Sequence, residues 1–228
     1  ALTQKHMAAS LQAIAERTDG EEILTQAAEA LEACLEVFRR ETYPVQWASA
    51  QSRLGLVLYK LDLKSGDSET LKKSLAAFQA ALQFFTRSNY PARWADVMNN
   101  FSQAAQVLGE QLHSPEVLEK AVTACIGALE IRRKENGPLL WAATQNNLGS
   151  ALFLLGKMTE DEGQLEGAAM AFDQALGVYT EFNAERLASV AKKNLSRVRM
   201  LLEESHESED RDPTSIPTLH WEEGTPEI

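Results

Sequence analysis

The sequence predicts an all-α fold of stacked antiparallel helix pairs, and three observations lead to that class. A motif of proline, two further residues, tryptophan and alanine recurs with a period of 47 residues. Between the motifs, apolar residues follow the three- and four-residue spacing of amphipathic helices. The same positions stay apolar in each unit, without insertion or deletion, as expected when neighbouring units cover one another's apolar faces.

The first helix of each unit is predicted to begin near the motif proline, at Pro44, Pro91 and Pro138. Proline suits a first helical turn because its missing N–H would have no partner there. The motif tryptophans hold a fixed place in the unit, which favours packing between helices over stacking on a ligand: Trp47, Trp94 and Trp141.

The second helix is predicted to begin after Asp67, Ser114 and Asp161, which are 47 residues apart and of the types that cap helix N-termini. Two of its columns are predicted core. The small column is Cys34, Ala81, Ala128 and Ala175. The larger column is Leu24, Leu71, Leu118 and Leu165.

The repeat columns continue to both sides of the marked units, which predicts about nine helices in an array over residues 1–204. The units lie near residues 1–43, 44–90, 91–137, 138–184 and 185–204. Residues 205–228 form an acidic, proline-containing C-terminal tail that is predicted to be non-helical. Because the chain starts inside a unit, we expect that it has been cut or that further repeats precede it.

Charge and composition restrict the function classes. The net charge is -11, and residues 203–228 carry nine acids against the single cation Arg211, so no basic surface for nucleic acid is expected. No apolar run is long enough to span a bilayer. Two cysteines without a disulfide spacing favour a reducing compartment, and we expect a cytoplasmic protein. The four histidines show no metal-site spacing, and no catalytic motif is present, so we expect no metal, no cofactor and no enzymatic activity.

Two segments of the third marked unit, residues 141–152 and 165–176, closely resemble a tetratricopeptide repeat. Leu148, Gly149 and Leu152 resemble the core of the family's first helix, and Phe172 its second-helix aromatic. The usual unit has about 34 residues, so this chain is similar to the lengthened repeats of bacterial arrays. The resemblance implies a right-handed α-solenoid whose first helices line a concave wall, where partners usually bind.

The predicted peptide-binding groove consists of polar residues around the motif glycine on first helices. Stacked asparagines can pair with the backbone groups of an extended peptide, and the cations with carboxylates. The alternative is that these side chains only face water or cap turns. The groove residues are Lys5, His6, Ser52, Arg53, Asn99, Asn100, Gln103, Asn146, Asn147, Lys193 and Asn194.

The sequence therefore predicts a protein–protein interaction scaffold that binds a peptide or partner protein on the concave face, with an acidic or carboxylate-bearing ligand as one option. The alternative is a homo-oligomeric assembly module that uses the array ends or a swapped tail. The tail is further predicted to lie against the array of its own or a second copy, with Leu219, Trp221 and Ile228 as anchors. It would otherwise serve as a capping segment or be ordered by crystal contacts alone.

Overall fold

The computed structural model describes residues 20–210, and these form eight α-helices and no strand. One fewer helix is present than the nine or so predicted, because the first predicted helix falls in residues 1–19, outside the described range. None of the described helices is long and apolar enough to cross a membrane. In chain order the helices are α1 (Glu21–Val37), α2 (Pro44–Ser65), α3 (Ser68–Leu82), α4 (Pro91–Gln111), α5 (Pro115–Ile131), α6 (Pro138–Thr159), α7 (Glu162–Glu181) and α8 (Glu185–Asp210).

The predicted helix starts are confirmed. Helices α2, α4 and α6 each begin at a motif proline. At the second helices, the Asp67 side chain accepts a hydrogen bond from the Glu69 N–H. The Ser114 and Asp161 side chains accept from the N–H groups three residues later, those of Val117 and Gln164. These bonds satisfy donors that the first helical turn otherwise leaves unpaired.

The helices pack in chain order, and the first helices also contact one another. We call α2, α4, α6 and α8 the first-type helices and α1, α3, α5 and α7 the second-type helices. Each described helix contacts the one before it and the one after it, and each first-type helix also contacts the next first-type helix. Within residues 20–210, second-type helices make no such contacts with one another. The first-type helices are therefore drawn together on one side of the array.

Equivalent positions of the repeat occupy equivalent environments. The predicted small column, Cys34, Ala81, Ala128 and Ala175, is buried throughout. The predicted leucine column, Leu24, Leu71, Leu118 and Leu165, is buried as well. This agreement is what a register-preserving stack of units requires.

The motif glycine is required by close helix packing. A Cβ at Gly55 would lie 2.8 Å from the ring of Phe78, and a Cβ at Gly149 would lie 2.9 Å from the ring of Phe172. In the unit between them the glycine position is Ser102, and there the aromatic is replaced by Cys125, whose thiol donates to the Ser102 hydroxyl at 3.1 Å. A larger residue on one helix is thus matched by a smaller one on the other.

Asp62 departs from this pattern near the end of α2. The equivalent residues one and two units later are Gly109 and Gly156, both buried where a Cβ would crowd the following helix. The Asp62 side chain is only 1% exposed, and its Oδ2 accepts a 3.4 Å hydrogen bond from Gln111 Nε2, while its Oδ1 has no partner. Burial is the main cause that raises the pKa of Asp62, with Asp67 adding a smaller repulsion.

Helix α8 runs to Asp210, six residues beyond the predicted end of the array. The added stretch is rich in Glu and Ser, which do not break helices, and the sequence reaches its first proline only at Pro213. The acidic segment after the last repeat column therefore begins as helix, contrary to the non-helical character predicted for it.

Candidate functional site

The candidate site is the surface formed by the side chains of α2, α4, α6 and α8 that are not in the core, which we call the first-helix wall. Nine of the predicted groove and anchor residues can be located on it or near it. The others lie outside the described residues: Lys5, His6, Leu219, Trp221 and Ile228.

The N-terminal part of the wall contains a cleft of about 250 Å³ between α2 and α4, which we call the arginine cleft. Ser52 and Arg53, both predicted groove residues, line it together with Arg93. Arg93 Nη1 donates to Ser49 Oγ at 2.9 Å, and its guanidinium carbon lies 5.2 Å from the centre of the Phe85 ring. The cation is thereby held over the cleft by a hydrogen bond and by the π face of the ring.

The arginine cleft carries net positive charge. Arg53 is exposed, and its guanidinium makes no ion pair within residues 20–210. Among the described residues, Asp96 is the one acid that lines this cleft, and its carboxylate already accepts from Arg132 Nη2 at 2.6 Å. The guanidinium groups of Arg53 and Arg93 therefore share the cleft with one carboxylate, whose charge is already balanced by Arg132.

The middle of the wall is a buried polar network rather than an open ladder. Asn99 is 6% exposed, and its Oδ1 accepts from Asn147 Nδ2 at 3.0 Å and lies 3.1 Å from the Thr144 hydroxyl. The same hydroxyl accepts from Arg132 Nη1 at 2.7 Å. The structure therefore gives Asn99 and Asn147 a role in packing α4 against α6, which the sequence analysis did not assign to them.

The remaining polar groove residues of α4 and α6 are half-buried. Asn100 and Gln103 are partly accessible on α4. Asn146 is half-buried, and its Oδ1 has no hydrogen-bond partner within the described part of the chain. The Asn147 carbonyl accepts from Gln106 Nε2 at 3.0 Å, a second bond that joins the two helices. Asn100 and Gln103 thus keep polar capacity for a ligand, because no hydrogen bond within residues 20–210 engages their side chains, whereas the unpaired Asn146 oxygen is buried and closed to a ligand.

A second open cleft of about 170 Å³ lies at the C-terminal part of the wall, between α6 and α8. Asn194, a predicted groove residue, lines it with Ser150 and Arg197. The guanidinium carbon of Arg197 lies 5.1 Å from the centre of the Phe153 ring, an arrangement like that of the arginine cleft. Lys193 is exposed beside Asn194.

The motif tryptophans are half-buried and pack between helices. Trp47 and Trp141 pack against core clusters, and each has a cation near its ring, from Arg40 and Lys134 respectively. A Cβ at Gly127 would lie 3.0 Å from Cη2 of Trp94. These contacts indicate that the tryptophan rings hold neighbouring helices together.

Several wall residues were not predicted from the sequence, since the predicted groove residues, apart from Gln103, come from the two columns that lie two and three residues before the motif glycine. Arg93 and Arg197 are the main omissions, because each supplies a cation to a cleft. The signal was present in the 47-residue period: the column of Arg93 continues with Leu140 and Leu187, so its chemistry changes along the array. A column whose chemistry changes from unit to unit, while the core columns stay apolar, is a candidate surface position.

The described residues include no group of three or more His, Cys, Asp or Glu side chains that could hold a metal ion. Cys125 is fully buried, and desolvation raises its pKa to about 12, so its thiol stays protonated at neutral pH. His206 pairs with Glu162 at the end of α8, where both side chains are largely exposed.

Comparison with known proteins identified no relatives: no family model matches the chain, and no curated protein matches it.

Proposed function

We propose that this protein is an interaction scaffold whose first-helix wall binds a segment of another polypeptide. The proposal includes a right-handed α-solenoid of the tetratricopeptide type, in which the wall is the concave face. The contact pattern supports the concave assignment: first-type helices approach one another, whereas second-type helices do not within residues 20–210. A stack whose units are closer on one side curves towards that side.

The observation that carries the proposal is the position of three predicted groove residues. Ser52 and Arg53 line the arginine cleft, and Asn194 lines the cleft between α6 and α8. The two clefts occupy the same wall at its two ends, and both hold a guanidinium over an aromatic ring. Polar groups that converge on open concave surfaces are typical of sites that orient a ligand.

The buried network between the clefts supports a scaffold role in a different way. Thr144 and Asn147 on α6 both donate to Asn99 Oδ1 on α4, so the central wall is fixed before a partner arrives. A preformed wall reduces the ordering cost of binding, which then falls mainly on the incoming peptide.

The test is a selection of random peptides displayed on phage against the immobilised chain. Wall variants Arg53→Ala and Asn194→Ala alter one residue in each cleft, and matched variants Thr123→Ala and Glu166→Ala alter exposed positions of second-type helices. We expect peptides that bind the unaltered chain and the matched variants but lose affinity for the wall variants. Peptides that bind all five proteins equally would refute the proposal.

A second candidate function is self-assembly through the free face of α8. Met200 is 59% exposed on α8, and no helix follows α8 within the described residues. It lines a cleft of about 210 Å³ with Phe153 and Leu201, which offers apolar area to a second copy. Light scattering over a concentration series tests this candidate: a constant monomer mass would exclude it, and a dimer abolished by Met200→Glu would support it.

A further inference from the structure

The chemistry of the first-helix wall changes from polar to apolar along the array. Two columns of the 47-residue period show the change, one beginning at Gln46 and the other at Ser49. On α2 and α4 these columns hold polar or charged residues, and on α6 and α8 they hold apolar ones. The members of the two columns in chain order are Gln46, Arg93, Leu140 and Leu187, and Ser49, Asp96, Ala143 and Val190.

The apolar members are unusually exposed. Leu140 is 57% exposed, Leu187 is 47% exposed and Val190 is 48% exposed. A single exposed leucine needs no explanation, but exposed apolar residues that adjoin one another indicate an interaction surface.

The repeat geometry places these residues side by side. Arg93 on α4 reaches Ser49 on α2, 44 residues earlier, with 2.9 Å between Nη1 and Oγ. By the same step, Leu187 on α8 corresponds to Ala143 on α6, and since these helices are also in contact, we expect the two residues to lie near one another. Leu187 and Val190 are three residues apart on one helix and therefore share a face. Leu140, Ala143, Leu187 and Val190 form what we call the apolar stripe.

At the other end of the wall, members of the same two columns line the arginine cleft: Ser49, Arg93 and Asp96. Arg93 belongs to the column of Leu140 and Leu187, and Arg53 lies one helical turn further along α2 than Ser49. The two guanidinium groups stand on a chain whose net charge is -11, so they form a local positive site on an acidic protein. An acidic side chain that reaches this cleft meets two cations and a carboxylate that is already paired.

We propose that the partner segment is bipartite, with apolar side chains that cover the apolar stripe and acidic side chains that enter the arginine cleft. This inference rests on the proposed function and names the chemistry of its ligand. The span from α2 to α8 covers three steps between neighbouring first-type helices, each about 8–10 Å. An extended segment rises about 3.3 Å per residue, so about eight or nine residues bridge the two regions.

The probes that test this inference are fluorescein-labelled peptides of roughly twelve residues, slightly longer than that span. One peptide has leucines alternating with serine in its first half and glutamates alternating with serine in its second half. A second has the two halves in the opposite order. In two further peptides, either the leucines or the glutamates are replaced by serine. Fluorescence anisotropy with the full chain measures each dissociation constant.

We expect one of the two bipartite orders to bind about tenfold more tightly than either single-half peptide, because each half adds an independent contact. Arg53→Gln with Arg93→Gln should reduce binding of the bipartite peptide about tenfold and leave the leucine-only peptide unaffected. Leu140→Gln with Leu187→Gln and Val190→Gln should likewise weaken binding of the bipartite peptide about tenfold, but should leave the glutamate-only peptide unaffected. High salt should mimic only the arginine variant, since it screens exposed charges.

Matched controls carry the same changes on second-type helices or the turns that follow them. Lys73→Gln with Arg133→Gln removes two exposed cations, and Ile126→Gln with Met170→Gln removes two exposed apolar residues. Neither control should change binding. Because the altered wall residues are exposed, circular dichroism should show that all variants keep the helical content of the unaltered chain.

A bipartite peptide that binds no more tightly than its halves would overturn the inference, and so would equal losses in wall and control variants. If the phage selection still yields wall-dependent peptides of another composition, the bipartite inference alone fails. If the selection also yields none, the proposed scaffold function fails with it.

Discussion

The close packing of the motif glycine gives the sharpest prediction on stability. Gly149 is buried in α6, and a Cβ there would lie 2.9 Å from Cδ1 and Cε1 of Phe172. Phe172 is itself only 1% exposed, so its ring is packed against neighbouring side chains. Replacing Gly149 by alanine must therefore shift the ring or separate α6 from α7.

The change in the free energy of unfolding caused by Gly149→Ala is the sum of two opposing effects. Alanine is preferred over glycine inside a helix by about 1 kcal/mol, which favours the variant. Overpacking a well-packed site costs about 1–3 kcal/mol. Gly177 in α7 provides the matched control, because it is exposed and a Cβ there would meet nothing within 4 Å. Gly177→Ala should gain the helix term alone, so the two variants should differ by about 1–3 kcal/mol.

Urea unfolding followed by far-ultraviolet circular dichroism measures both free energies of unfolding. The variant Phe172→Leu, combined with Gly149→Ala, completes a double-mutant cycle. We expect the loss from Gly149→Ala to shrink when the ring is absent. Equal stability of Gly149→Ala and Gly177→Ala, or strict additivity in the cycle, would refute the packing argument.

Three further predictions concern buried polar groups. Asp62→Asn should raise the free energy of unfolding by about 1–2 kcal/mol at neutral pH, because it removes a buried charge with one unpaired oxygen. Burial raises the folded-state pKa of Asp62, so the unaltered chain loses stability as pH rises through that pKa. The stability gain of Asp62→Asn should therefore vanish in acid, where Asp62 is protonated. A gain that does not depend on pH would contradict this reasoning. Thr144→Val should cost about 1–3 kcal/mol in urea unfolding, because Arg132 Nη1 loses its acceptor; an unchanged midpoint would show that water replaces it. In a Cys34→Ser background, the Cys125 thiol, with a pKa of about 12, should resist Ellman's reagent until urea unfolds the chain, and prompt reaction of the folded protein would count against its burial.

The period of the sequence was enough to predict the alternation of the described helices and the starts of those in the marked units, but not the end of α8. Proline, the N-cap residues and the apolar columns act locally or between adjacent helices, and each keeps its position from unit to unit. The starts at Pro44, Pro91 and Pro138 and the caps at Asp67 and Asp161 follow from these local rules. Burial of the small column follows as well, since only small residues allow the helices to approach.

The polar part of the wall could not be predicted in the same way. Asn99 and Asn100 look equivalent in the sequence, yet one is buried in a network and the other is half-buried with its side chain uncommitted. The difference depends on residues 45 and 48 positions later, Thr144 and Asn147, whose side chains meet Asn99 only when α6 packs on α4. Which side chains meet depends on how neighbouring helices pack, and one column of the repeat does not show this.

Arg132 also fixes the order of the units. It stands in a column that is otherwise aromatic, with Phe38, Phe85 and Tyr179, and it depends on a threonine supplied by the following unit. The equivalents of that threonine in the described units are Ala50, Val97 and Ala191, so a shuffled order of these units would leave the guanidinium without this acceptor. Repeat units that look interchangeable in the sequence are therefore favourable in one order along the chain. Engineering that removes or duplicates units has to keep residues 91–137 directly before residues 138–184.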